Sequence, residues 1–364
     1  MIMSYVRYTP DIEVKQPHED EQIEQIVALM AAANKRAFDQ HRHAIRDAHA
    51  KQHGTVVGEL HIYPNLPEHL AQGIFAKPAV YPVVIRLSSA PGQLRDDKIA
   101  APHGMAVKVI GIEGKKILPD QQNELTQDFL MVSMPVIPFG TVEQYLKMQK
   151  VIALQDNAPE QAQLAAAALA RGSQKVLSLV GIQHPVLDGL AVRNEHILGQ
   201  TFHTMAAIRY GDYIAKLSVA PLSAEVKALE GLELDTTDKP SAQRDAVVDF
   251  FHQHGATYEL RAQLCTDLST MPVEDGSVLW HEEQSPHQPI AKIVIPAQEA
   301  YSPARRVFSD DKLSFNPWHA IPEHQPLGSI MRVRMKAYES STQFRHQMNV
   351  QPRIEPKNIE EVPD

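Results

Sequence analysis

Two groups of residues in this 364-residue chain have types and spacings that could do chemistry. Five of its 18 histidines fall between residues 41 and 61, and His49 and His53 stand four apart, as a metal-binding pair on a helix would. The pattern stops short of a zinc signature. HAKQH lacks the glutamate of H-E-x-x-H, Gly54 is placed to end a helix beside His53, and spacing indicates no third ligand. The second group lies near the other end of the chain. In MRVRMKAYESSTQFRH, residues 331–346, Tyr338 follows Arg334 by four positions and Arg345 follows the tyrosine by seven. An α-helix turns about 100° per residue, so these offsets bring all three side chains within roughly 40° of one another, on one face. A lone Arg-x-x-x-Tyr is more often a solvated stripe than a site, so its meaning has to come from the rest of the chain.

Composition narrows the field. The chain is 43% hydrophobic, enough for one large domain or two small ones with a sizeable core. A formal net charge of -9 and the absence of any Lys/Arg run argue against nucleic acid or an anionic membrane as partner and favour a small-molecule site. The start, MIMSYVRYTPDIEVKQPHED, has no apolar core of a signal peptide, and no later segment approaches the roughly 18 apolar residues of a membrane span. A cytoplasmic protein without a membrane span is expected. Cys265 is the only cysteine, which excludes an intramolecular disulfide, a thiolate zinc site and an iron–sulfur cluster.

The elements that must position the chemistry alternate in texture. Residues 20–51 carry apolar positions at helical spacing without proline or glycine and read as one long or two short helices. From Gly54 the period changes. TVVGELHIY, YPVVIRLSS, HGMAVKVIGI, QDFLMVSM, YIAKLSVAP, TYELRAQLC and PIAKIVIPA are β-rich runs separated by Gly, Pro, Asn or Asp, which predicts an antiparallel barrel or sandwich. An Ala-rich helical stretch at about 140–182 interrupts the strands, and another helix is expected at about 240–253. A proline-punctuated arm, FNPWHAIPEHQPLG, leads into the terminal helix, and RIEPKNIEEVPD reads as a frayed tail.

Taken together, AIRDAHAKQHG, YPVVIRLSSAPG, HGMAVKV and the terminal helix resemble the catalase superfamily, haem enzymes whose iron is bound by tyrosinate. The family's arginine three residues before the distal histidine, continuing H-A-K-G-x-G, is similar to Arg46, His49, Ala50, Lys51 and Gly54; R-F-S-T is similar to RLSS at Arg86 and Ser88. R-G-F-A-V-K-F matches at Gly104, Ala106, Val107 and Lys108, and the R-x-x-x-Y with a later arginine matches at Arg334, Tyr338 and Arg345. The resemblance implies an α+β fold, a catalase-like antiparallel eight-stranded β-barrel with flanking helices, in the short form without the flavodoxin-like extension. It implies one haem-binding domain over 1–364: a helical segment at 20–53, the barrel at 54–300 with its insertion at about 140–182, and a proximal arm and haem-ligand helix at 301–350.

What the resemblance implies for chemistry follows residue by residue. Tyr338 would be the iron ligand. A phenol has an unperturbed pKa of about 10, so it ligates as the anion at neutral pH only with cationic help, which Arg334 would give one turn away. Arg46, Arg86 and Arg345 would hold the haem propionates, and bidentate guanidinium suits carboxylates. His49 would be the distal general base and then acid, with Ser88 orienting its ring, in breaking a peroxide O–O bond through a ferryl intermediate. One departure stands out. The family's peroxide-polarising asparagine falls at Thr126 in ELTQDFLMVSMP, beside Gln127 and three residues after Asn123. The expected function is haem-dependent breakdown of hydrogen peroxide or an organic hydroperoxide, as catalase or peroxidase. The alternatives are a fatty-acid hydroperoxide isomerase or lyase on the same haem, or a non-enzymatic haem-binding protein, and a homo-oligomer stays open.

Overall fold

The computed structural model of the chain describes residues 4–155 and 192–364. Nine strands follow in order: β1 (Gln52–Ile62), β2 (Val80–Ser89), β3 (His103–Ile110), β4 (Thr126–Val132), β5 (Phe202–His203), β6 (Ile208–Tyr210), β7 (Tyr213–Pro221), β8 (Ala256–Leu264) and β9 (Gln288–Ile295). They pair antiparallel in the order β5-β4-β3-β2-β1-β9-β8-β7-β6, and a β5–β7 pairing closes eight of them into a barrel, with β6 as a side hairpin on β7. The fold is thus an α+β protein built on the expected eight-stranded barrel. All seven β-rich runs are strands. The eighth, β5, is only two residues long and carries no period that a sequence could reveal.

Strand periodicity decides which chemistry faces where. On β2, Val83, Ile85 and Leu87 point into the barrel core, so Arg86 and Ser88 point outwards; on β3 Met105, Val107 and Val109 point in, leaving Gly104, Ala106 and Lys108 outside. Register then aligns the outward residues. Ser88 pairs with Gly104, Gly104 with Val132, Val132 with His203, His203 with Ser218 and Ser218 with Arg261. Directly paired residues share a face. The polar residues of this row therefore lie outside a largely apolar interior, where helices and arms can cover them.

That cover comes from both ends of the chain. Helix α1 (Glu19–His41), helix α2 (Val142–Gln155) and the long terminal helix Ser329–Asn349 meet through Ile23 and Ile26, Val142 and Leu146, and Val333. Helix α1 is shorter than its apolar pattern predicts. Arg42 turns left-handed at φ 55°, and the Asn349 amide takes over the backbone groups of Ala44, accepting from its N–H at 2.8 Å and donating to its carbonyl at 2.9 Å. Residues 43–51 are accordingly not helical, and His49 and His53 do not share a helix face. A helix does occupy Ala242–Gln253, as expected. Of the stretch at 140–182, α2 is the described part and the rest lies outside the described residues. No described helix is long and apolar enough to cross a membrane.

The tail is anchored instead of frayed. Ile354 bridges to Leu313, and Glu355 reaches under the arm to Lys108 at 2.6 Å, to Ser314 at 2.6 Å and to Arg353 at 3.2 Å. Lys108 is itself fully buried and also paired with Asp128 at 2.7 Å, which in turn accepts from the backbone of Asn316. Burial alone would raise the Glu355 carboxyl, but Lys108, His319 and Arg353 outweigh it and hold it at about 2. A carboxyl depressed on folding contributes stability above its unfolded value of about 4.3, and that contribution is lost as pH falls towards the folded value. Glu355→Gln should therefore cost about 3–5 kcal/mol at pH 7, as breaking one partner of a buried pair does, and should flatten the loss of stability below about pH 4.3. Denaturant titrations of both proteins at neutral and acid pH measure it, and an unchanged acid slope would show that Glu355 does not anchor the tail.

Candidate active site

The loop between α1 and β1 carries His49 in the left-handed region at φ 55°, a conformation in which His is commoner than most residues but still costs about 1–2 kcal/mol. Three backbone contacts hold it there. The His49 N–H donates to the Ala90 carbonyl at 2.8 Å, the Ala50 N–H to the Pro91 carbonyl at 3.1 Å, and the Arg86 guanidinium donates to the His49 carbonyl at 2.8 Å. The imidazole Nδ1 lies 3.1 Å from the Ser88 hydroxyl, on the neighbouring strand. With Nδ1 as donor in that pair, Nε2 is left as the acceptor. Glycine at 104 makes room for this ring, since a Cβ there would stand 2.4 Å from His49 Nδ1. Burial lowers the His49 pKa to about 3, helped by Arg86, Arg334, His103 and Arg46, so the ring is neutral at physiological pH and can take up a proton.

The terminal helix supplies the facing group. Arg334 donates to the Tyr338 hydroxyl at 2.6 Å, with its guanidinium carbon 5.0 Å from the ring centroid, so the four-residue spacing is a made contact and not a solvated stripe. Arg345 lies two further turns along and is buried, and burial brings its pKa down to about 10. It meets Arg46 and Arg86 around a π-helical turn, Phe308–Lys312. Arg46 donates to the Ser309 and Leu313 carbonyls at 2.7 and 2.8 Å, Arg345 to the Asp310 and Leu313 carbonyls, and one Asp310 oxygen is 3.2 Å from both Arg46 and Arg86. Asp310 was not foreseen. Nothing in SDDK marks it, because its role depends on three arginines that arrive from three other elements.

His49, Ser88, Arg46, Arg86, Arg334, Tyr338 and Arg345 all line one cavity, together with apolar side chains such as Ala106, Leu130 and Phe315. Thr126 does not. It opens β4 opposite Ile110, six residues from Val132, which is roughly 20 Å at about 3.3 Å per residue, and its hydroxyl is 3.4 Å from Glu355. The expectation that Thr126 stands beside the distal histidine is therefore corrected: β4 lies against the cavity through its far end, Leu130 to Val132. His53 is also elsewhere, buried with its Nε2 2.7 Å from the Ser89 hydroxyl.

The donor set suits an anionic, carboxylate-bearing group with an iron at its centre. Four guanidiniums and one carboxyl, Asp47, which burial pushes up, line the cavity; Asp310 beside it pairs with Arg46 and Arg86, and the Nε of Arg86 is buried without an acceptor. The Tyr338 oxygen, directed by the Arg334 hydrogen bond, is the group that would hold the iron of a bound haem. The free volume is small, about 60 Å³, so the side chains must part to take in a macrocycle.

Comparison with known proteins agrees on architecture. The fold matches a fungal catalase crystal structure (15% identity, 89% of this chain and 67% of that one, TM-score 0.58) and catalase A from Saccharomyces cerevisiae (13% identity, 89% and 69%, TM-score 0.58). It also matches a bacterial catalase (15% identity, 88% and 62%, TM-score 0.58). At these identities the likeness is one of fold, and the chain spans about two thirds of their length. No protein-family model and no curated protein matches the chain.

The electrostatics of His49 can be checked without any ligand. Nitrogen NMR of the imidazole should show a neutral ring across pH 5–8, with protonation only at about 3. A transition at about the ordinary histidine value of 6.5 would contradict an enclosed, cation-flanked ring.

Proposed function

We propose that this cavity binds haem through Tyr338 and that the chain uses it to break down hydrogen peroxide or an organic hydroperoxide, as a catalase or peroxidase. The observation that carries the reading is the convergence of two hydrogen-bonded pairs, His49–Ser88 and Arg334–Tyr338, on one enclosed cavity bordered by three further arginines. The fold likeness to proteins named catalases supports it. Bound haem would supply the iron centre at which an O–O bond is split.

The chain's own residues would do the rest. Arg334 donates a charge-assisted hydrogen bond to the Tyr338 oxygen and fixes its direction. Arg46, Arg86 and Arg345 would hold carboxylates at the cavity edge, where Arg46 and Arg86 already share that of Asp310. His49, neutral and with Ser88 on its Nδ1, removes the proton of the substrate hydroperoxide at Nε2 and returns it to the departing oxygen, so that water or an alcohol leaves instead of its anion. Ala106, Leu130 and Phe315 exclude bulk water from that transfer.

A second reading, a hydroperoxide isomerase or lyase on the same cofactor, is favoured by one observation. No asparagine or glutamine is among the described side chains lining the cavity, so no amide holds a second peroxide for disproportionation. Organic hydroperoxide is thus the better substrate of the two, and oxygen release from hydrogen peroxide should be slow.

Paired substitutions test the assignment. Tyr338→Phe keeps the ring and removes the oxygen, so it should lose haem or alter its absorption while the fold survives. His49→Ala should keep haem and react with hydroperoxide about 10²- to 10⁴-fold more slowly in stopped flow. A Tyr338→Phe protein with wild-type spectrum and occupancy, or a His49→Ala protein with the wild-type rate, would contradict these roles.

A further inference from the structure

The outward row that builds the first cavity continues around the barrel into a second. Beyond Val132, it runs through His203, Ser218 and Arg261, and a loop from Leu279 to His287 closes over these strands to leave a cavity of about 240 Å³. Lys216 on β7 and Gln263 on β8, paired across the strands, point into it. Two donors here, the Trp280 indole N–H and the Arg261 Nε, are buried without an acceptor, and a third, Lys216, has no counter-charge among the described residues. Lys216 is 5% exposed, donates to the Val278 carbonyl at 3.2 Å and lies 4.9 Å from the Trp280 ring centroid, yet among the described residues no carboxylate comes within ion-pair distance of it. Trp280 is 2% exposed and its indole N–H has no acceptor. The Nε of Arg261 is likewise buried and unpartnered. His203 and His287 stand with ring centroids 6.0 Å apart, and His287 Nδ1 is 3.2 Å from the Ser218 hydroxyl. The acid at the rim, Glu282, is 71% exposed and 3.8 Å from His287.

A buried ammonium is costly without a counter-charge, and a buried indole N–H without an acceptor is rare in folded proteins. Both costs are met by one ligand. We propose that this second cavity is a binding site for a small organic or inorganic anion, a carboxylate or a phosphate, held by Lys216 and the Trp280 N–H with His203 beside them. Burial brings Lys216 down to about 8, with Asp275 and Cys265 only partly countering, which is the state expected of a cation waiting for an anion. The volume suits a head group with a short apolar tail against Leu279 and Pro135. None of this depends on what the first cavity holds.

Isothermal titration of the full chain with acetate, octanoate and inorganic phosphate tests the site and separates the two chemistries. A single saturable site is expected for at least one. Octanoate and acetate binding without phosphate identifies a carboxylate site, octanoate the tighter, and the reverse identifies a phosphate site. Lys216→Met and Trp280→Phe should each weaken that binding at least about tenfold, roughly the effect of losing one hydrogen bond to a charged group. Trp280→Phe retains the ring and guards against the case in which Lys216→Met does not fold. No saturable binding by the wild type, or unaltered affinity in folded Trp280→Phe, would overturn the proposal.

Discussion

One buried guanidinium, that of Arg86, ties together the three parts of the chain that make the first cavity. It lies on the outward face of β2, bonds the carbonyls of His49 and Ala50 at 2.8 and 3.3 Å, and meets Asp310 at 3.2 Å. The loop before the barrel, the barrel wall and the arm after it are all fixed by this group. It can do so because guanidinium keeps its charge when buried and offers five donors in a plane, which no lysine could match. The left-handed backbone at His49 persists because Arg86 and the Ala90 carbonyl over-determine it.

The same cations set the chemistry. His49 is kept neutral by burial and by positive neighbours, which is the state that the proposed role of a base first and an acid afterwards requires. Tyr338 is held in place by the Arg334 guanidinium, which donates to its hydroxyl. One positively charged environment thus keeps the histidine unprotonated, with a ring nitrogen free to accept a hydrogen bond. The 308–312 turn, with its carbonyls and Asp310, keeps this concentration of guanidiniums tolerable when no other anion is present.

Much of this was legible, for reasons that differ by residue. Arg334 and Tyr338 can be placed together from spacing alone, because a helix fixes the geometry of positions four apart. Arg86 and Ser88 can be placed on one strand face by alternation, but that His49 meets them depends on a loop conformation that no period encodes. Thr126 went astray because counting back along β4 from an aligned motif assumes that the whole strand lines the cavity, whereas only its last residues do. Asp310, β5 and the buried Glu355 are tertiary facts: each has meaning only through partners distant in sequence. The frayed-tail expectation failed on Glu355, whose charge looks like solvation until Lys108 is seen beneath it.

The central claim is that the first cavity is a haem site closed by Tyr338, and titration of the purified chain with hemin, followed by absorbance, bears on it directly. A saturating Soret band at one haem per chain, with the charge-transfer features of a ferric tyrosinate complex, is the expected result. A titration that never saturates, or a band characteristic of histidine or water ligation alone, would contradict it.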